Sequence, residues 1–228
     1  MHVHKPKTVH SLREFLSEIA IIVVGIVIAL SGEQALEALH WRHEVEVERE
    51  ALLSDIREQL RMVAMRRAQQ VCVDRRLDDL AAIFGRHARG ESLGLLGPVG
   101  RPQNASVENA IWDIAVSSQA ASHMAFDERS KFSGAFANFE NLRRLEAEAD
   151  RAWVDLSVLD HPEQLSEGDW VELRRAFAEA RETEGRIRFI LPYVLRSWNL
   201  GQPVARVTAR ATLVQDYSRA FCRPLTRR

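Results

Sequence analysis

The stretch "EFLSEIAIIVVGIVIALSGEQALEALHWRH", residues 14 to 43, limits what this chain can fold into more than any other part of it. Ile19 to Leu30 is an unbroken apolar run, extended toward the N-terminus by Phe15 and Leu16. As an α-helix, Phe15 to Ser31 covers about 25 Å, slightly under the ~30 Å hydrocarbon core of a bilayer. A cleaved signal peptide, a membrane anchor and a buried core helix can all start from such a run. Three features favour the anchor. The run ends at Leu30, leaving no polar spacer before the small-residue cleavage site Ala29-Leu30-Ser31. Gly32 stands alone as a helix breaker and is tolerated. The helical pattern then resumes at once through Ala35, Leu36, Ala38 and Leu39, and Trp41 with Arg42 supplies an interfacial anchor. We therefore expect a span over residues 15–34, a short tail over 1–14 and an ectodomain over 35–228.

Lys5, Lys7 and Arg13 precede the span, whereas Glu33 and Glu37 follow it. The positive-inside rule then predicts a cytoplasmic N-terminus and a periplasmic ectodomain, in a bacterial inner membrane. Glu18 lies one turn inside the span, where an ionisable group is either functional or snorkels to the headgroups beside Arg13; we favour snorkelling. Gly25 and Ala29 form a small-xxx-small pair that would let two spans approach closely.

Composition narrows the partners. With 31 Lys and Arg against 32 Asp and Glu, the formal net charge is −1, and no basic tail or stripe marks a nucleic-acid binder. The bilayer is the first partner expected, with a protein partner or a second copy of the chain beside it. Cys72 and Cys222 are too few and too far apart for a structural zinc site. In an oxidising compartment they predict one disulfide, worth roughly 4 to 5 kcal/mol in the chain-entropy account.

From Ala35 to Phe84 there is no proline or glycine, and apolar residues recur at helical spacing: Val45, Leu52, Ile56, Leu60, Val63, Leu77, Leu80 and Phe84. This predicts one long helix continuing out of the span, kinked near Gly32 and ended by Gly85. Residues 85–105, rich in glycine with Pro98 and Pro102, read as a loop, as a disordered joint in preference to a binding surface. Ser106 is the expected N-cap of a second helix reaching Met124. A third begins near Asp127, carries Phe132, Phe136, Phe139, Leu142 and Trp153, and is closed by Pro162. Ser166 and Asp169 form a capping box for a fourth, which reaches about Asn199 and which Pro192 should kink or split. A fifth is expected from Arg206 to Phe221. No segment alternates with period two, so the predicted class is all-α: an up-and-down bundle whose first helix continues the membrane span.

Candidate chemistry is thin. Glu37, His40 and Glu44 share a helical face, and Glu37-x-x-His40 is half of a carboxylate-bridged di-iron motif. No second copy exists, so a polar collar at the membrane exit is favoured over a metal site, and no cofactor is expected. His2, His4 and His10 lie on the N-terminal tail, while His123 and His161 read as caps or solvent-facing groups. Ser117 and Ser118 lack the strained elbow of a nucleophilic serine, and no phosphate-binding glycine motif is present. Trp112, Phe136 and Trp153 are the place for a ligand pocket inside the bundle, against the plainer reading of core packing.

The segments "FLSEIAIIVVGIVIALSGEQALEALHWRHEVE" and "WDIAVSSQAASHM" resemble a family of uncharacterised bacterial membrane proteins, a domain of unknown function. The resemblance is carried by the glycine-punctuated span, the exit Ile28-Ala29-Leu30 and Trp41. It implies membrane anchoring and a helical ectodomain, and it supplies no activity. The expectation is a non-enzymatic scaffold or protein-interaction module. The alternative is a periplasmic ligand-sensing domain that works with a partner, because the cytoplasmic tail is too short for an output domain.

Overall fold

The computed structural model describes residues 12–197 and 221–226. The protein is all-α, and among the described residues the only β-type pairing is an isolated bridge between Leu96 and Thr226. Helix α1 runs Leu12–Ala68, α2 Gln70–Ala88, α3 Ala110–Ser117, α4 Ala120–His123, α5 Phe126–Leu156 and α6 Glu167–Ser197. Two short 3-10 turns, Ser157–Asp160 and Pro162–Gln164, join α5 to α6. Of the expected fifth helix only its last residue, Phe221, lies within the described residues, and His2, His4 and His10 lie outside them.

Helix α1 passes through Gly32 without interruption, and nothing lies within 4 Å of where a Cβ would sit there. Every described side chain from Leu12 to His40 is exposed, including the apolar run, whose best window has a mean hydropathy of 2.4. By length and composition this segment could cross a membrane. Burial begins at Val45 and then follows the helical stripe through Leu52, Ile56, Leu60 and Val63. The single break comes at Gln69, one residue long, and the buried face continues past it through Val73, Leu77, Leu80 and Phe84. Gly85 does not end the helix; α2 carries on to Ala88.

Three pairings show the path of the following segment. Arg76 Nη1 donates to the Pro98 carbonyl at 3.2 Å, the Gln69 side-chain oxygen accepts from the Gln103 N–H at 3.0 Å, and the Gln59 amide exchanges hydrogen bonds with both Glu108 backbone groups. Residues 89–109 thus descend along the α1–α2 rod as an extended strap, burying Val99, Ala105 and Val107. The disordered joint expected here is a packed element. Rod side chains satisfy the strap's backbone groups, as a neighbouring strand would in a sheet. Gly100 has φ +60, and a Cβ there would sit 3.4 Å from the Phe221 ring, so the position suits glycine on both counts.

The second helix is shorter than its sequence suggests. Ser106 has φ 51 and belongs to the strap, so Asn109 precedes α3 instead. Gln119 has φ 68, and this left-handed residue separates α3 from α4. Helix α5 then rises beside α1 in the same direction: Glu128 meets Arg49 and Glu146 meets Arg66. Helix α6 returns antiparallel to α5, opened by the Ser166–Asp169 capping box, with reciprocal bonds of 2.7 and 3.3 Å. Pro192 lies within α6 and does not split it. The architecture is up-and-down, with the second, descending member made of the strap plus α3 and α4.

The C-terminal residues close the structure. Cys72 and Cys222 are bonded, with Cα atoms 4.8 Å apart across 150 residues of sequence. Arg76 donates to the Phe221 and Arg223 carbonyls at 2.7 and 3.0 Å, and its guanidinium lies 5.2 Å from the Phe221 ring centroid. Burial holds the Arg76 guanidinium below its usual value, against the pull of Asp79 and Asp160.

Candidate functional site

Two polar constellations stand out, one at the end of the bundle where the exposed apolar segment of α1 leaves it and one in its interior. At the first, α1 leaves its exposed segment and meets α4. Trp41 stacks on His123, the last residue of α4, with centroids 3.8 Å apart and planes 12° from parallel. Trp41 Nε1 also donates to Glu37 Oε1 at a long 3.4 Å, and His40 lies tilted against the same indole at 5.3 Å. Two turns further on, Arg49 grips Glu128 with two bonds of 2.6 and 2.9 Å and pairs with Glu46 as well. The Glu128 hydrogen bonds raise the Arg49 guanidinium above its usual value. Between these anchor points an open cleft of about 650 Å³ runs along α1 from Gln34 to Arg49, closed on its far side by His123, Met124 and Ala125. Arg42 projects into it, exposed, with no ion pair among the described residues.

Glu37, His40 and Glu44 do not gather into a metal site; no group of three metal-ligating side chains forms among the described residues. His123, read from sequence as a cap or solvent-facing group, is half of the Trp41 stack. Glu18, Gly25, Ala29 and Leu30 all lie on the exposed part of α1, as does Phe15.

The second constellation is centred on Arg66, 1% exposed, with Glu146 at 3% and Glu184 at 0%. Arg66 Nη2 donates to Glu184 Oε2 at 2.6 Å, and Arg66 Nε approaches Glu146 Oε1 at 3.4 Å. Trp153 Nε1 donates to the other Glu184 oxygen at 3.0 Å. Both Glu146 oxygens accept from the Ala105 N–H of the strap, at 2.9 and 3.1 Å. One cation therefore faces two carboxylates in a site closed to solvent. Burial pushes the Glu146 carboxyl up to about 7, assisted by the charge of Glu184 and opposed by the Ala105 bond and Arg66. The arrangement can take up a proton and can hold α1, α5, α6 and the strap in register. Sequence patterning passed over it although each member lies in phase with the buried stripe of its helix: Arg66 three residues after Val63, Glu146 four after Leu142 and three before Ala149, Glu184 four after Ala180 and three before Ile187.

The aromatic trio of the expected pocket is divided. Trp112 stacks on Phe136, with centroids 5.8 Å apart, and Phe136 packs edge-on against Phe139. Trp153 lies 17 residues beyond Phe136 on α5, about 25 Å away along the axis. There it serves Glu184 and packs edge-on against Phe221 at 5.8 Å. Phe136 and Trp153 are buried core residues.

No family model, no curated protein and no solved structure matches this chain.

Proposed function

We propose that the chain is a single-pass protein of a bacterial inner membrane, with a cytoplasmic N-terminus and a periplasmic helical module that acts through protein contacts as a non-enzymatic scaffold. The observation that carries this reading is the continuity of α1: one helix passes from an exposed apolar segment into the bundle core without a joint. Such a helix holds its module at a fixed attitude to the bilayer, as suits a platform for other proteins better than a tethered catalyst. The Cys72–Cys222 bond supports the oxidising side of the membrane for the ectodomain. The partner is a membrane-associated protein or a second copy of the chain.

Reporter fusions after residue 45 and at the C-terminus test the topology. Both should be active only with a periplasmic reporter, on protein that keeps its N-terminus. A cytoplasmic reporter active at either point overturns the orientation. Crosslinking in intact cells followed by detergent extraction tests the scaffold. A chain that stays strictly monomeric and unaccompanied overturns it.

A further inference from the structure

We propose that the buried cluster of Arg66, Glu146 and Glu184 is a proton-binding site that controls how firmly the strap is fastened to the helices. The site does not depend on which side of a membrane the bundle occupies.

The cluster joins one cation to two carboxylates, none of the three more than 3% exposed. Fully ionised, it would leave an uncompensated negative charge in the interior, and one carboxyl binds a proton instead. The bonds assign that proton to Glu146. Glu184 has a donor on each oxygen, Arg66 Nη2 at 2.6 Å and Trp153 Nε1 at 3.0 Å. Glu146 has one neutral donor, the Ala105 N–H, shared between its two oxygens, and Arg66 Nε stands 3.4 Å off without a hydrogen bond. Arg66 from α1 and Glu184 from α6 are the charged groups that act on Glu146, and the strap supplies the Ala105 N–H. On α5 itself, Glu148 and Asp150 pair with Arg186 and Arg101 instead. Burial, which pushes the Glu146 carboxyl up to about 7, agrees with this placement.

The strap is the element that yields when the proton leaves. The helices are held by their apolar faces, whereas the strap is fastened here by side-chain bonds: the Gln103 N–H on Gln69, the Ala105 N–H on Glu146 and the Glu108 N–H on Gln59. Ser106 sits among them at φ 51, a left-handed conformation that an L-residue keeps only while its surroundings impose it. Loss of the proton puts a second negative charge beside Glu184 in a dry site, and lifting the strap at Ala105 opens Glu146 to water. The other end of the strap, held by Asp160 at Val99 and by Leu225 at Gly97, lies outside the cluster and stays fastened. The Glu146 carboxyl titrates near its ordinary 4.5 once uncovered and near about 7 while covered. Opening therefore becomes about tenfold more favourable per pH unit between those values and levels off above them. The strap is closed in acid and loosened near neutrality.

The test is amide hydrogen exchange of the full-length chain in detergent, resolved to single amides and corrected for the intrinsic effect of pH on exchange. Protection of the Ala105 amide should fall about tenfold per unit between about pH 5 and about pH 7. The Gly97 amide, whose local opening leaves Glu146 covered, should hold steady. Glu146→Gln keeps an acceptor for the Ala105 N–H and should make its protection independent of pH. Glu184→Gln leaves Glu146 as the sole counter-ion of Arg66, so most of the fall should disappear there too. Should either variant fail to fold, infrared spectroscopy of the unchanged chain reads the same proton: a carboxylic acid band present at about pH 5 should vanish by about pH 8. Flat protection at Ala105, an equal fall at Gly97, a Glu146→Gln chain that keeps the fall, or absence of that band overturns the proposal.

Discussion

Glu146 is the residue whose chemistry departs furthest from what its position in the sequence announces. In the folded chain its carboxyl is raised from 4.5 to about 7, chiefly by burial. Between those values the folded chain keeps a proton that the unfolded chain has released, so stability is fully present below the lower value and is lost as pH rises through the upper one. The shift corresponds to roughly 3 kcal/mol. Denaturant unfolding of the full chain in detergent should therefore show lower stability at about pH 8 than at about pH 5, and Glu146→Gln should flatten the difference. An undiminished pH dependence in that variant would contradict the assignment. A second residue-scale expectation concerns Gln119, whose φ of 68 costs an L-residue about 1 kcal/mol. Its carbonyl, which accepts the Ser122 N–H at 2.9 Å and the Ser122 hydroxyl at 2.7 Å, would be kept by glycine. Gln119→Gly should raise stability by about 0.5 to 1 kcal/mol in the same assay, and a β-branched residue there should lower it. Neither feature was read from the sequence. A charged residue at helical spacing reads as solvated unless its partners, here on α1 and α6, are already known to converge on it.

Among the elements, the long helices were the readable part. The apolar spacing marked Val45, Leu52, Ile56, Leu60 and Val63, and all are buried. The Ser166–Asp169 start of α6 was equally plain, because the capping box is a local motif with local partners. The strap was unreadable for the opposite reason. Its glycines and prolines announce that it is no helix, but its order comes from Gln59, Gln69, Arg76 and Asp160, far away in sequence. The C-terminal residues belong to the same assembly, since the Gly97 N–H donates to the Leu225 carbonyl at 2.7 Å and the Leu225 N–H to Asp79 at 2.9 Å. Closing a loop of 150 residues is worth about 5 kcal/mol in the chain-entropy account. Replacing both Cys72 and Cys222 by serine should thus lower the unfolding free energy by up to that amount, and limited proteolysis should then cut first near the C-terminus. A double variant with an unshifted denaturation midpoint would show that the strap and Arg76 hold this end unaided.

At the scale of the whole molecule, the exposed segment and the bundle are separable in energy although they share a helix. The side chains from Leu12 to Gln34 are all exposed and add nothing to the core. A chain beginning at residue 35 should therefore unfold within about 1 kcal/mol of the full-length protein, compared in the same detergent and followed by circular dichroism. A much larger loss would mean that the N-terminal segment packs on the bundle. Trp41 must remain in such a truncation, because it carries the His123 stack.

The unbroken course of α1 also has a mechanical side. On the anchor reading proposed above, the shaft, with no joint between Gln34 and Arg66, would act as a lever pivoting in the lipid: Arg66 stands about 48 Å from Gln34, so ten degrees of lean would sweep it sideways by about 8 Å. A change of lean at the bilayer would thus reach the far end of the protein enlarged.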